Sequence, residues 1–194
     1  MKEQDVRQLL YDTEIARIMA DDPSTRVVDE MVVLRGGARV DVAVVNSALS
    51  GYEIKSAADN LDRLSGQQAA YARVFDRMTL VAAERHVEEA VRMVPPCWGL
   101  IAVGLKDGKP HADEIWPARR NHEVDKLALA QLLWRDEAIE LLEFFGLARG
   151  MRDKPRRALW QRLARELTVE ELKGYVCYKL RTRQDWRDEG RRRA

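Results

Sequence analysis

Three side chains in residues 39–55 are poorly suited to packing and well suited to chemistry. Asp41 interrupts a run of apolar residues, and Glu53 and Lys55 flank a single isoleucine a few positions later. Two carboxylates and an ammonium group in one small pocket would hold a divalent cation and an activated water. A hard cation such as Mg²⁺, or Mn²⁺ in its place, suits these oxygen ligands.

The three residues lie on two short predicted strands that a polar turn joins. Side chains alternate across a strand, so Glu53 and Lys55 face one side while Tyr52 and Ile54 face the other. If the two strands pair as a hairpin, the Asp41 carboxylate converges on the face that carries Glu53 and Lys55. We therefore expect one site built from both strands.

A metal at this position would lower the pKa of a bound water and stabilise charge on a phosphoryl oxygen. The lysine would orient the attacking water or help to neutralise the transition state. Glu30, within the predicted strand 27–34 or just before it, is a candidate for a further carboxylate. The alternative for Glu30 is an ordinary exposed position on an edge strand.

The elements around these strands follow from periodicity. Apolar residues at three- and four-residue steps predict a helix over residues 2–20. After the three strands come a predicted helix over 61–75 and a strand over 78–83, followed by a helix over 84–94 and a strand over 98–104. A strand reached through a helix is most simply parallel to its neighbour. This order, αβββαβ and onward, predicts a mixed sheet with helices on its faces.

The pattern of Asp41 followed by Glu53-x-Lys55 on adjacent strands, after an N-terminal helix, resembles the PD-(D/E)XK nuclease superfamily. Val40 stands where the family signature has a proline. The resemblance covers residues 1–105 and implies a restriction-endonuclease-like α/β core. It further implies a magnesium-dependent nuclease in which Asp41, Glu53 and the carbonyl of Ile54 bind the metal, while Lys55 positions the water.

The resemblance implies three auxiliary residues as well. Glu14 lies in the first helix, where some relatives of this fold carry an acid, although a solvated helix position is the alternative. Gln67 and Tyr71 are four residues apart and so share a helix face. One branch of the superfamily has a Gln-x-x-x-Tyr element that supports the site and the substrate phosphates. The alternative for this pair is a packed tyrosine beside an exposed glutamine.

Beyond residue 121 the pattern is helical, so we predict a nuclease-like core over residues 1–120 and a helical extension over 121–194. Residues 1–110 hold 14 Lys and Arg against 17 Asp and Glu, whereas residues 149–194 hold 15 against 7. A basic tail suits a polyanionic partner, most simply DNA. The candidate contacts to nucleic acid in this extension are Arg156, Arg157, Lys173, Lys179, Arg181 and Arg183. They belong to two predicted helices, over 155–167 and onward from a Thr168 capping box, and a solvated helical cap is the alternative.

Composition excludes several classes. No apolar run approaches the ~20 residues that span a bilayer, and the first residues lack a signal peptide's apolar segment. Cys97 and Cys177 are too few and too far apart to indicate a disulfide framework or a zinc knuckle. We expect a cytoplasmic protein with no membrane partner. The oligomeric state stays open.

Competing functions remain open at this point. The same fold could serve a non-catalytic DNA-binding or regulatory protein, which would bind DNA without cutting it. The site could hydrolyse RNA or another phosphoester. A plain interaction module, with a chance Asp near a Glu-x-Lys ion pair, would bind no metal.

Overall fold

The predicted N-terminal helix is present in the computed structural model, which describes residues 1–184. It consists of α1 (Glu3–Leu10), a π-helical segment (Tyr11–Ile15) and α2 (Ala16–Asp21). Val6, Leu10 and Ile15 are fully buried. The amphipathic pattern therefore packs the helix as expected, on one face of the sheet.

The sheet has six strands in the order of the chain. β3 is parallel to β4 and β4 is parallel to β5, whereas the other neighbours are antiparallel. The predicted mixed sheet, with one helix before three strands and further helices between the parallel ones, is confirmed. The elements are β1 (Arg26–Val33), β2 (Ala38–Val45), β3 (Leu49–Lys55), α3 (Leu64–Ala72), β4 (Arg77–Ala83), α4 (Glu84–Met93), β5 (Gly99–Lys106) and β6 (Lys109–Trp116).

Strand β6 is absent from the sequence prediction, in which the last strand covers residues 98–104. A tight turn joins β5 to β6, and Asp107 and Gly108 in it both have positive φ, of 53° and 75°. An Asp-Gly pair in that conformation closes a tight hairpin. β6 is an edge strand with mostly exposed residues, so it lacks the apolar alternation that marks a strand in sequence.

Four helices follow: α5 (Lys126–Ala130), α6 (Arg135–Phe144), α7 (Arg156–Glu166) and α8 (Val169–Thr182). Helix α5 ends at Ala130, and Trp134 caps the start of α6, where its N–H donates to the Glu137 carboxylate at 2.7 Å. The predicted capping box is confirmed: Thr168 Oγ1 accepts from the N–H of Glu171, whose carboxylate accepts from the N–H of Thr168. No strand occurs between residues 121 and 184.

The helices of the C-terminal part share a core with the sheet. One apolar cluster lies between the sheet and α1, and a larger one joins the opposite face to α3 and to α5–α8. Lys173 of α8 also reaches Asp76, just before β4, with Nζ 2.9 Å from Oδ1. The division at residue 120 stays a prediction, and packing is continuous across it. No helix within residues 1–184 is long and apolar enough to cross a membrane.

Candidate active site

The site lies where β2 and β3 separate. Paired residues run from Val45 opposite Leu49 to Val42 opposite Tyr52, and the pairing stops there. The next position on each strand is acidic, Asp41 on β2 and Glu53 on β3.

Beyond the last paired residues, a side chain makes the hydrogen bond that pairing of the two strands no longer provides. Asp41 Oδ2 accepts a hydrogen bond from the N–H of Ile54 at 2.6 Å. This bond holds the Asp41 carboxylate in the gap between the two strands. Two acidic side chains therefore lie at the point where β2 and β3 separate, which we call the fork of β2 and β3. The alternation of side chains along the two strands predicts this arrangement.

Three donors hold the Glu53 carboxylate, whose residue is only 2% exposed. Lys55 Nζ and Gln67 Nε2 donate to Oε1 at 2.8 and 2.5 Å, and the Tyr71 hydroxyl lies 2.8 Å from Oε2. Hydrogen bonds to a charged acceptor are short and directional. Glu53 thus has one orientation, and Lys55 is brought to the same point.

Tyr71 links helix α3 to both strands. Its hydroxyl also lies 2.6 Å from the carbonyl oxygen of Arg39 on β2. Burial and the charge of Glu53 raise the pKa of Tyr71 above its ordinary value. The phenol therefore stays a neutral donor. Its hydrogen bond to Glu53 fixes the orientation of that acid.

Gln67 has one free acceptor. Its amide oxygen is buried and takes no hydrogen bond from the residues that the structure describes. The predicted pair Gln67 and Tyr71 therefore lies against Glu53, and the alternative of an exposed glutamine is wrong for its amide group.

The surroundings of Asp41 disfavour the ionised form of its carboxyl group. Burial is the first cause and the charge of Glu53 the second, and together they raise the pKa of Asp41 to about 7. The hydrogen bond from Ile54 opposes this shift only in part. A cation next to Asp41 would favour its ionised form, so the site has a deficit of positive charge that a metal would offset.

Further acids approach Asp41 from two other elements. Glu30 of β1 lies opposite Asp41, where the pairing of β1 and β2 skips one position and Glu30 has a φ of 54°. One oxygen from each of Glu3, Glu30 and Asp41 lies within 4.8 Å of the others. Glu30 therefore lies close to Asp41, and its role as a further ligand stays a prediction.

Arg7 of α1 is the counter-ion of this acidic group. Its Nη1 donates to the Asp41 carbonyl at 2.8 Å and to Asp29 at 2.9 Å, and its Nη2 lies 2.9 Å from a Glu30 oxygen. Glu3 accepts from the same guanidinium at 3.2 Å. Arg7 therefore joins the first helix to strands β1 and β2 beside the site.

The donor set fits Mg²⁺ or Mn²⁺ in chemical type. Asp41 could share a metal with Glu53 and the Ile54 carbonyl, or with Glu30 and Glu3, and every one of these ligands is an oxygen. Asp41 belongs to both sets, and burial together with the charge of Glu53 raises its pKa.

Glu14 lies elsewhere, which corrects its assignment to the site. Its Oε1 is 3.3 Å from the Tyr52 hydroxyl, and Arg17 binds it at 2.8 Å. Tyr52 faces the opposite side of β3 from Glu53. The acid of the first helix that reaches Asp41 is Glu3. Helical periodicity places both residues on the helix but does not say which end meets the strands.

The cations of α8 mostly attach that helix to the rest of the chain. Lys173 binds Asp76 at 2.9 Å and Lys179 binds Glu140 at 2.7 Å. Arg181 donates to the Ser24 hydroxyl at 2.9 Å.

Arg183 is the most enclosed of these cations. Its side chain is 5% exposed, its Nη2 lies 2.5 Å from Glu137 Oε2, and its guanidinium lies over the Trp134 ring. Lys173, Lys179 and Arg183 are thus paired with acids of this chain, which counts against their assignment as contacts to nucleic acid. Arg156 lies over the Trp160 ring and Arg157 is exposed, both on the first turn of α7. Positions 185–194 of the basic tail lie outside the described residues.

Similarity to known proteins extends over nearly the whole chain. "Protein cII" of Enterobacteria phage P4 is 25% identical over 183 residues, which cover 94% of this chain and 68% of that protein. A solved protein of unknown function from Silicibacter pomeroyi has a TM-score of 0.39 and 20% identity, over 80% of this chain and 90% of the other. The family model described as bacteriophage P4 protein cII matches residues 1–190. The chain belongs to the bacteriophage P4 protein cII family.

Proposed function

We propose that this protein is a metal-dependent nuclease that hydrolyses DNA phosphodiester bonds. The observation that carries the proposal is the fork of β2 and β3, where Asp41 and Glu53 stand on neighbouring strands with Lys55 Nζ 2.8 Å from Glu53. The αβββαβ order of elements agrees with a restriction-endonuclease-like core of the PD-(D/E)XK type.

Each residue has a role that follows from its contacts. Asp41 and Glu53, with the Ile54 carbonyl, would hold Mg²⁺ or Mn²⁺. When bound, such a cation lowers the pKa of a coordinated water and stabilises charge on the phosphoryl oxygens. Gln67 and Tyr71 keep the Glu53 carboxylate in one orientation.

Lys55 is the residue that meets the reacting atoms. Its side chain is 12% exposed, and its ammonium group lies 2.8 Å from Glu53 Oε1. From there it can orient the attacking water and neutralise negative charge that develops on the phosphate. The free oxygen of Gln67 offers one acceptor for a water in the same region.

A second candidate is a nucleic-acid-binding protein that does not cut. The contacts of Lys55 and Arg7 favour it, because these two cations already pair with Glu53 and Glu30. Such a site can be stable without a metal. It predicts DNA binding that neither Mg²⁺ nor Lys55 affects.

The test is cleavage of a panel of supercoiled plasmid, linear duplex, single-stranded DNA and RNA with Mg²⁺ or Mn²⁺. We expect the wild-type protein to cut DNA and Asp41→Asn and Lys55→Met to lose at least 100-fold in rate, about the magnitude that a missing catalytic group removes. Glu14→Gln is the matched control and should cut normally. If the wild-type protein cuts nothing in the panel, the proposal fails. If it cuts only RNA, the hydrolysis stands and DNA is the wrong substrate.

A further inference from the structure

The loop that follows β3 is tied to the first turn of α4. Ser56, directly after Lys55, is buried, and its N–H and hydroxyl both donate to Asp59 Oδ2, at 2.8 and 2.6 Å. His86 of α4 is also buried, and its Nε2 lies 3.1 Å from the Ser56 carbonyl oxygen. A carbonyl oxygen can only accept, so Nε2 is the donor. The end of β3 and the start of α4 are therefore held together.

Arg85, next to His86, is held at the same junction. Its Nη2 donates to the Asp59 carbonyl oxygen at 3.3 Å, and its Nε lies 3.3 Å from His86 Nε2. These are the only polar contacts of its guanidinium within residues 1–184. Arg85 is exposed, and an arginine carries more N–H groups than these contacts use. The guanidinium is therefore oriented and can still bind an anion.

No acid of α4 pairs with Arg85 in the described part of the chain. The Glu84 carboxylate lies against Gly104 of β5, so closely that it leaves no room for a Cβ at Gly104. Glu89 lies four residues after Arg85, an order in which a cation and an acid attract each other less than in the reverse one. A cation on the first turn of a helix also opposes the helix dipole. Neither an ion pair nor the stability of α4 accounts for this arginine.

Arg85 and Lys55 stand at the carboxyl ends of neighbouring parallel strands. Lys55 is the last residue of β3 and pairs with Ala82 of β4. Arg85 follows Ala82 by three residues. In open α/β sheets, ligands bind in the crevice outside such strand ends. The two cations therefore belong to the same edge of the sheet.

The electrostatics of Asp59 indicate the same proximity. The hydrogen bond from the Ser56 hydroxyl is the largest cause of a lowered pKa at Asp59, and burial opposes it. Lys55 and His86 lower this pKa further through their charge. Lys55 therefore lies within electrostatic range of the loop that contacts Arg85.

We infer that Arg85 binds a phosphate of the DNA backbone that flanks the phosphate being cut. The choice of ligand rests on the proposed function, which puts the cut phosphate beside Lys55 at the fork of β2 and β3. Arginine suits a phosphate because its planar fork of N–H groups matches two phosphate oxygens. The contacts with Asp59 and His86 restrict the side chain before the ligand arrives, which lowers the entropy cost of binding. Arg85 thus binds substrate and has no part in the chemical step.

The test compares Arg85→Gln with Arg92→Gln, which removes an exposed arginine from the other end of α4, where it pairs with the exposed Glu88. Anisotropy of a fluorescent 20-base-pair duplex is measured in EDTA across a series of salt concentrations. Arg85→Gln should weaken binding about tenfold at 0.1 M salt and reduce the slope of log K against log salt by about 0.9, the contribution of one phosphate contact. Arg92→Gln should change neither. Arg85→Lys should keep the slope and lose part of the affinity, because an ammonium group lacks the planar fork.

Cleavage with Mg²⁺ separates binding from chemistry. At saturating duplex, Arg85→Gln should cut within about threefold of the wild-type rate, whereas at low duplex concentration its rate should fall about tenfold. Lys55→Met should lose rate at both concentrations. A loss for Arg85→Gln that persists at saturation, with wild-type binding, would assign the arginine to the chemical step and overturn the inference.

Other outcomes also decide the matter. A wild-type slope and affinity for Arg85→Gln removes the phosphate contact, and a lowered unfolding temperature with a wild-type slope makes the arginine structural. Equal losses for Arg85→Gln and Arg92→Gln reduce the effect to net charge and overturn the inference as well. If the wild-type protein cuts DNA and Arg85→Gln binds normally, only the contact is wrong. If nothing is cut but Arg85→Gln alone lowers the slope, the contact stands and the nuclease does not.

Discussion

Asp41 Oδ2 lies 2.6 Å from the backbone nitrogen of Ile54, so a side chain of β2 satisfies a donor of β3 just beyond the last paired residues. Asparagine could accept the same hydrogen bond but could not ionise. The variant Asp41→Asn can therefore remove the charge at position 41 while it keeps the hydrogen bond to Ile54.

The charge of Asp41 should make stability depend on pH. Its pKa is raised to about 7 in the folded chain from an ordinary 3.8. Between these values the folded state keeps a proton that the unfolded state has released, so the free energy of unfolding falls as pH rises. Asp41→Asn should gain about 1–3 kcal/mol over the wild type between pH 5 and pH 8, at ~1.4 kcal/mol per pKa unit.

Urea unfolding at pH 5 and pH 8, without divalent metal, measures this gain. Asp107→Asn is the control, because Asp107 is exposed and its φ of 53° suits asparagine equally well. An advantage of Asp41→Asn that stays constant or shrinks with rising pH would contradict the raised pKa.

Glu30 and Glu14 should differ in their effect on metal-dependent cleavage. Glu30 lies in the group with Asp41 and Glu3, whereas Glu14 contacts Tyr52 on the other side of the sheet. Glu30→Gln should lower the rate about 10- to 100-fold at limiting Mn²⁺, as losses around a metal do. Glu14→Gln should stay within twofold of the wild type. Equal effects of the two variants would count against the site drawn around Asp41.

The Tyr71 hydroxyl should contribute measurably to stability. It binds Glu53 and the Arg39 carbonyl, and the residue is fully buried. Tyr71→Phe should lower the free energy of unfolding by about 1–3 kcal/mol, because the single O–H that lies between Glu53 and the Arg39 carbonyl is lost where water is excluded. Tyr178→Phe, with the ring half exposed, should change it by less than about 0.5 kcal/mol. Denaturant midpoints for the two variants give the comparison directly.

Lys173 should be structural. Its partner Asp76 is 4% exposed and also accepts from the N–H of Leu49. Lys173→Met should therefore destabilise the protein by about 3–5 kcal/mol, since a buried carboxylate loses its counter-ion.

Lys179→Met is the matched control for Lys173. Its partner Glu140 is 57% exposed, so the loss should stay below about 1 kcal/mol. Asp76→Asn combined with Lys173→Met should recover part of the stability. If the two single lysine variants unfold at the same urea concentration, the Asp76 pair has no special role.

Much of the fold could be predicted because its signals are local. Short apolar stretches between turn residues predicted β1 to β3. The helical period predicted α1, and a capping box with an apolar face predicted α8. Strand β6 could not be found in this way, since an edge strand whose residues are mostly exposed has no clear apolar pattern. The Asp-Gly turn before it was the usable signal, and it indicates a hairpin more strongly than an exit from the sheet.

The candidate site also contains some relations that local sequence predicts and others that depend on tertiary packing. Glu53 and Lys55 share a face by strand geometry alone, and Gln67 and Tyr71 share one by helix geometry. The choice of Glu3 over Glu14 depends on how the first helix lies across the strands. The pairing of Lys173 with Asp76 depends on packing between residues 97 positions apart. Neither relation can be predicted from the local sequence.

That last pairing bears on the order in which the chain can fold during synthesis. Asp76 leaves the ribosome long before Lys173, and until then its carboxylate has no counter-ion in the place where it must be buried. The apolar face that α5 to α8 cover is open for the same period. The sheet cannot complete its core as translation proceeds, and the native state is reached only after α8 has emerged.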